Sequence, residues 1–139
     1  YTQFFASIII VISLALVAEI YFGIFWADIG LLVVCIAMIG DGLAEPIGVR
    51  FGRIKYKTYA LFTKKRFFRT VEGSLTVFVS TIGVLVWFGD LFTEKQFIYA
   101  IAFLPLTLTV TEAISPHTWD GPLLSGVSGT LVCFILLYF

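Results

Sequence analysis

Residues 29–52 read IGLLVVCIAMIGDGLAEPIGVRFG, an apolar run (29–44) that carries Asp41 near its end and is followed by Glu45 and Pro46. Similar apolar runs lie at 3–26, 71–88, 97–113 and 123–139. None of them alternates in polarity as the strands of a membrane barrel do, so all five are predicted to be transmembrane helices. The expected fold is therefore all-α, a polytopic transmembrane bundle with about five helices.

Composition supports the same fold class. The chain is 60% hydrophobic and 13% charged, with a mean hydropathy of +1.03, whereas soluble domains carry about 25% charged residues. We interpret residues 1–139 as a single membrane domain. Because the chain starts at Tyr1 and ends at an apolar Phe139, we expect it to be part of a longer protein.

The positive charges are concentrated in one segment between the second and third apolar runs. Eight of the nine basic residues fall within 50–69, and no acid lies among them. They are Arg50, Arg53, Lys55, Lys57, Lys64, Lys65, Arg66 and Arg69. The positive-inside rule predicts that the loop at about 47–70 is cytoplasmic, where it would contact membrane lipids or another polyanion. Nucleic acid is not an expected partner, since nothing resembles a base-reading module.

Asp41 and Glu45 are four residues apart, so on a helix their carboxylates share one face. Two such carboxylates are suitable ligands for Mg²⁺, which also takes phosphate oxygens. The alternative is that Asp41 caps a helix and Glu45 lies at the membrane interface. Pro46 disfavours helical geometry at the residue before it, so the helix is expected to end or kink there.

Small residues recur every four positions at Gly40, Ala44, Gly48 and Gly52. On a helix they would form a packing ridge. In a loop, the backbone N–H groups of the glycines in this series could instead approach phosphate. The sequence does not decide between these alternatives, but it contains no Walker loop.

Three further acids, Glu72, Glu112 and Asp120, lie on the side of the membrane predicted for the basic loop. They are candidates to orient a substrate or to bind a metal. The single histidine, His117, and the two mid-run cysteines do not form the pattern of a zinc site or a Ser-His-Asp triad.

These motifs resemble the dolichol kinase and phytol kinase group of polyprenol kinases. The resemblance rests on GDGLAEPIG at 40–48, RFG at 50–52, the basic linker, RTVEGS at 69–74, and Glu112 with Asp120. It implies a multi-helix membrane enzyme that transfers the γ-phosphate of a nucleotide, usually CTP, to an isoprenoid alcohol. The departures are Arg69 in place of the family's lysine and Gly121 in place of its asparagine. Glu45 favours the phytol-like branch, where that position tends to be acidic.

The resemblance also implies roles for the residues. Asp41, Glu45 and Glu112 would hold Mg²⁺, while Asp41, Glu72 and Asp120 would act at the reacting alcohol. Contacts to CTP or ATP would come from Gly42, Gly48, Arg53, Lys64, Lys65, Arg66 and Arg69. Two alternatives remain: a cytidylyltransferase that makes a CDP-lipid, and a non-catalytic membrane subunit whose basic loop docks lipid or an acidic partner.

Overall fold

The computed structural model describes residues 26–59, 66–115 and 120–139, with backbone alone at 26, 27, 58, 59, 66 and 67. Within the first 25 residues it describes 5, 8–10, 12, 13, 16 and 20, all of which are helical. Most of the first predicted helix therefore lies outside the described residues. The all-α, membrane-type fold class is confirmed.

Four α-helices and one β-hairpin make up the rest of the described chain. In chain order they are α1 (Trp26–Phe51), β1 (Lys55–Tyr59), β2 (Arg66–Thr70), α2 (Val71–Trp87), a 3-10 turn (Gly89–Leu91), α3 (Glu94–Ile114) and α4 (Asp120–Tyr138). Two of the helices begin at a recognisable capping signal. The Thr70 hydroxyl accepts from Gly73 N at 3.2 Å and caps α2, and Thr93 with Gln96 forms a capping box on α3.

Among the described residues, three helices are long and apolar enough to cross a membrane: Asp28–Phe51, Glu94–Ile114 and Asp120–Tyr138. The fourth, α2, has 17 apolar-rich residues. At 1.5 Å per residue it is about 26 Å long, slightly less than the roughly 30 Å hydrocarbon core.

The four helices form a closed ring in which α1 packs on α2 and α4, and α3 packs on the same two helices. Fully buried leucines from several helices, including Leu32, Leu85, Leu104 and Leu124, fill the centre. Neighbouring helices are antiparallel. The C-terminal ends of α1 and α3 and the N-terminal ends of α2 and α4 therefore lie together at one end of the bundle.

The structure corrects the prediction that the helix ends at Pro46. The helix α1 continues past this proline to Phe51. Proline removes one internal hydrogen bond, to the carbonyl four residues earlier, and helices tolerate this when packing holds them. The basic segment also contains regular structure: β1 and β2 pair antiparallel, with Tyr56 opposite Arg69.

Candidate functional site

A cavity of about 620 Å³ lies at the end of the bundle where the hairpin joins the helices. Every described element near this end contributes to its wall. Its charged lining residues are Asp41, Glu45, Lys55, Arg69, Glu112 and Asp120. Four acids and two bases that are distant in sequence therefore meet in one cavity.

Asp41 and Glu45 both project from α1 into this cavity. Because α1 is helical throughout 41–45, their carboxylates lie one turn apart on the same face. Asp41 is half-buried and Glu45 is exposed. The pair therefore presents negative charge to a space that a solute can reach.

Arg69, on β2, joins the other two acids. Its Nη1 donates to Glu112 Oε1 at 2.7 Å, and its Nη2 donates to Asp120 Oδ2 at 2.8 Å. Both carboxylates belong to buried residues that are only 2% exposed. One guanidinium thus connects the hairpin, the end of α3 and the start of α4 through charge-assisted hydrogen bonds.

Arg69 keeps its charge in this position. Burial lowers the pKa of its guanidinium, but the hydrogen bond that it donates to Asp120 and the charges of Glu112 and Asp120 outweigh burial and raise that pKa above its ordinary value. Arg69 Nη2 also donates to the carbonyl of Ser115 at 3.3 Å, and the Ser115 hydroxyl donates to Asp120 Oδ1. Both oxygens of Asp120 are therefore engaged.

A second layer of hydroxyls fixes Glu112 from the other side. The Ser74 hydroxyl donates to Glu112 Oε2 at 3.0 Å, and the Tyr56 and Ser74 hydroxyl oxygens lie 2.6 Å apart. Both oxygens of Glu112 therefore accept hydrogen bonds within the protein, and its role as a metal ligand stays a prediction. Sequence reasoning missed Tyr56 and Ser74. The alternation of polar and aromatic residues in KYKTY at 55–59 was the available signal for a strand that points Tyr56 inward.

The glycine series serves as a packing ridge. A Cβ on Gly48 would lie 2.6 Å from Thr70 Oγ1, and one on Gly52 would lie 2.5 Å from Thr70 Cγ2. A Cβ on Gly73, facing them from α2, would lie 3.1 Å from the carbonyl oxygen of Ala44. Gly48 still lines the cavity, whereas Gly42 is exposed and lies outside its lining.

Glu72 and Arg53 do not line the cavity. Glu72 Oε1 accepts from the backbone N–H groups of Arg53 at 2.8 Å and Ile54 at 3.3 Å. This carboxylate therefore holds the segment that leaves α1 against the start of α2, and the Arg53 side chain is exposed.

The remaining predicted cations are placed as follows. Lys64 and Lys65 lie outside the described residues, and Arg66 is described by its backbone only. Lys55 lines the cavity although it was not singled out from the other residues of the basic run.

The acid pair suits a magnesium ion better than a metal ion whose ligands all come from the protein. Within the described ranges, no three His, Cys, Asp or Glu side chains are grouped closely enough to hold a metal ion. Mg²⁺, however, usually takes only one or two carboxylates and completes its shell with water and substrate phosphate. Asp41 and Glu45 fit that requirement.

Comparison with known proteins gives one informative similarity. Over 119 residues the chain is 29% identical to a protein named "Probable phytol kinase 2, chloroplastic" from Oryza sativa subsp. japonica. The match covers 78% of this chain and 38% of the rice protein. No protein-family model and no solved structure matches the chain. The chain is thus similar to a part of a phytol kinase, in agreement with the relationship that the motifs at 40–52 and 69–74 indicate.

Proposed function

We propose that this chain forms the phosphotransfer site of an integral membrane kinase that moves the γ-phosphate of a nucleotide, with CTP favoured, onto an isoprenoid alcohol. The observation that carries the proposal is the charged cavity at the end of a bundle of membrane-spanning helices. Acids that suit a cation and a lysine that suits a phosphate face the same space there. The similarity to a phytol kinase supports the acceptor class.

Phosphoryl transfer requires mainly positioning and charge neutralisation. The acceptor oxygen forms a bond to the γ-phosphorus while the bond from that phosphorus to the β,γ-bridging oxygen breaks. The products are a prenyl phosphate and a nucleoside diphosphate, and the hydroxyl proton passes to a carboxylate or to water. Mg²⁺ bound with the nucleotide supplies charge neutralisation on the phosphate oxygens.

The residues of the cavity divide these tasks. Asp41 and Glu45 hold the metal–nucleotide complex from α1, and Lys55 approaches the phosphates from β1. Arg69, with both sides of its guanidinium occupied by Glu112 and Asp120, is a positioning residue: it offsets one of the two buried negative charges and fixes the hairpin over the cavity. Of the acids, Asp41 is the one half-buried in the cavity wall, and we assign it the largest catalytic contribution.

The test is a transfer assay with the full-length protein in liposomes, using nucleotide labelled at either the α- or the γ-phosphate and a panel of prenols. The kinase proposal requires the γ label, but not the α label, to appear in the extracted lipid. An α label in the lipid would instead identify a cytidylyltransferase. No nucleotide-dependent transfer to any prenol would favour a docking subunit.

Asp41→Asn tests the metal assignment within that assay. The change preserves shape but removes the charge. We expect the rate of transfer to fall more than a hundredfold, which corresponds to a loss of about 3 kcal/mol of transition-state stabilisation. Asp28→Asn is the matched control, because Asp28 is an exposed acid in the first turn of the same helix. We expect the control to stay within about twofold of wild type, given the small effect of surface changes. Near-normal turnover by Asp41→Asn would rule the assignment out.

A further inference from the structure

A second, larger cavity lies outside the charged one and shares no lining residue with it. It is a groove of about 950 Å³ between the N-terminal helical residues, α3 and α4. We call it the apolar groove and define it by Ile10, Leu106, Val110, Gly126, Val127 and Leu131. Leu106 and Val110 are 58% and 59% exposed, so the groove opens sideways, toward the lipid that surrounds a membrane-spanning bundle.

The three threonine hydroxyl groups in the wall of the apolar groove are satisfied within their own helices. Thr107 Oγ1 donates to the Phe103 carbonyl at 2.7 Å, and Thr111 Oγ1 donates to the Thr107 carbonyl at 2.8 Å. Thr130 Oγ1 donates to the Gly126 carbonyl at 2.7 Å. Threonines bonded in this way offer little to a polar ligand. The chemistry of the groove therefore selects a hydrocarbon chain.

One end of the apolar groove lies next to the residues of the charged network. Thr111 lines the groove and Glu112, the next residue, lines the charged cavity. On α4, Pro122 lines the groove two residues after Asp120. From Pro122 to Leu131 the groove follows α4 for about 13 Å at 1.5 Å per residue. A chain that lies along it therefore has one end level with Leu131, in the middle of α4, and the other beside the acids that hold Arg69.

We propose that the apolar groove holds the isoprenoid tail of the acceptor alcohol, with its hydroxyl end directed to the charged cavity. This assignment rests on the proposed function. Lipid tails are as apolar as the groove wall, so the hydrophobic effect does not favour the groove over the bilayer, and selection comes from close packing. The groove then determines which tail lengths and branching patterns the enzyme accepts, while the headgroup chemistry stays with the charged cavity.

Filling the groove should change substrate preference rather than the chemistry. Gly126→Leu and Val110→Trp place bulk in the groove. The measured quantity is kcat/KM for phytol divided by kcat/KM for the five-carbon alcohol 3-methyl-2-buten-1-ol. We expect each variant to lower this ratio by about tenfold or more, which is the discrimination that an apolar pocket achieves for a single methylene group. Gly83→Leu and Val79→Trp are matched controls outside the groove. A Cβ on Gly83 meets nothing within 4 Å, and Val79 is 59% exposed, like Val110. Both controls should keep the wild-type ratio.

An unchanged ratio in both groove variants, with both alcohols still phosphorylated, overturns the groove assignment but leaves the kinase proposal standing. A second measurement needs no variant and no turnover. A phytol analogue with a diazirine in its tail should label residues 106–111 or 122–131 of the wild-type protein, and unlabelled phytol should suppress that labelling. Labelling elsewhere in the protein overturns the proposal. Labelling of the groove that phytol does not suppress means that bulk lipid occupies the groove, and it overturns the proposal as well. Suppressible labelling without any phosphotransfer supports the groove while rejecting the kinase.

Discussion

Arg69 is the residue on which the charged end of the bundle depends. Two carboxylates with almost no exposure accept its hydrogen bonds. Burying an ion pair brings little net stability, but removing one partner leaves the other charges buried and uncompensated. The three charges sum to −1, so the network is already short of positive charge.

Replacing Arg69 with alanine should therefore destabilise the protein strongly. We expect a loss of about 3–5 kcal/mol in the free energy of unfolding, as for other broken buried pairs, measured by thermal or denaturant unfolding in detergent. Arg69→Lys should lose less, because the ammonium keeps the charge but cannot donate side by side to both acids. Arg53→Ala is the control: the Arg53 side chain is exposed, so its removal should change stability by no more than about 0.5 kcal/mol. Equal losses for Arg53→Ala and Arg69→Ala would contradict the network.

Local sequence patterns predicted one part of this site and missed the other. The spacing of Asp41 and Glu45 predicted a shared helical face, and both side chains do line one cavity. The resemblance assigned Arg69 a contact with the nucleotide, and that role stays a prediction. Its hydrogen-bond partners in the structure lie 43 and 51 residues further along the chain, and only the packing of α3 beside α4 reveals them.

At the scale of elements, the β-hairpin converts the basic linker into a wall of the cavity. Close contact between α1 and α2 positions it: Gly48 and Gly52 leave room for Thr70, which ends β2 and caps α2. Backbone pairing then places Lys55 opposite Thr70 and Lys57 opposite Phe68. The sequence predicted the charge of this linker but not its strands. Each strand has only five residues, so the alternation of polar and aromatic residues within the run of cations is short.

The two lysines of β1 make a matched pair for testing phosphate binding. Lys55 lines the cavity, whereas the Lys57 ammonium lies 5.6 Å from the centre of the Phe68 ring. We expect Lys55→Ala to weaken nucleotide binding about tenfold in low salt and less at high ionic strength, where screening weakens contacts between charges. Lys57→Ala should leave nucleotide affinity within about twofold. Titration calorimetry with Mg²⁺ and CTP at two salt concentrations measures both, and equal losses for the two variants would indicate only a diffuse effect of net charge.

For the whole molecule, the ring of four helices separates two chemically different ends. The end that carries the hairpin holds the charged cavity and most of the basic residues. At the opposite end lie the start of α1 at Trp26, the end of α2 at Trp87 and the 3-10 turn. Trp87 is 85% exposed, as expected for an aromatic residue at a membrane interface. The fold therefore presents its polar chemistry at one membrane surface.

The distribution of positive charge predicts which surface that is. Lys95 is the one basic residue of the chain outside 50–69, so the positive-inside rule predicts a cytoplasmic hairpin and a 3-10 turn on the other side. In a background with Cys35→Ala and Cys133→Ala, Lys57→Cys should react with a membrane-impermeant maleimide only from the cytoplasmic side. Asp90→Cys should react only from the opposite side. Both positions are exposed, so a lack of reaction would not reflect burial. Labelling of both from the same side would contradict the transmembrane arrangement of α2, since that helix is what separates the hairpin from the 3-10 turn.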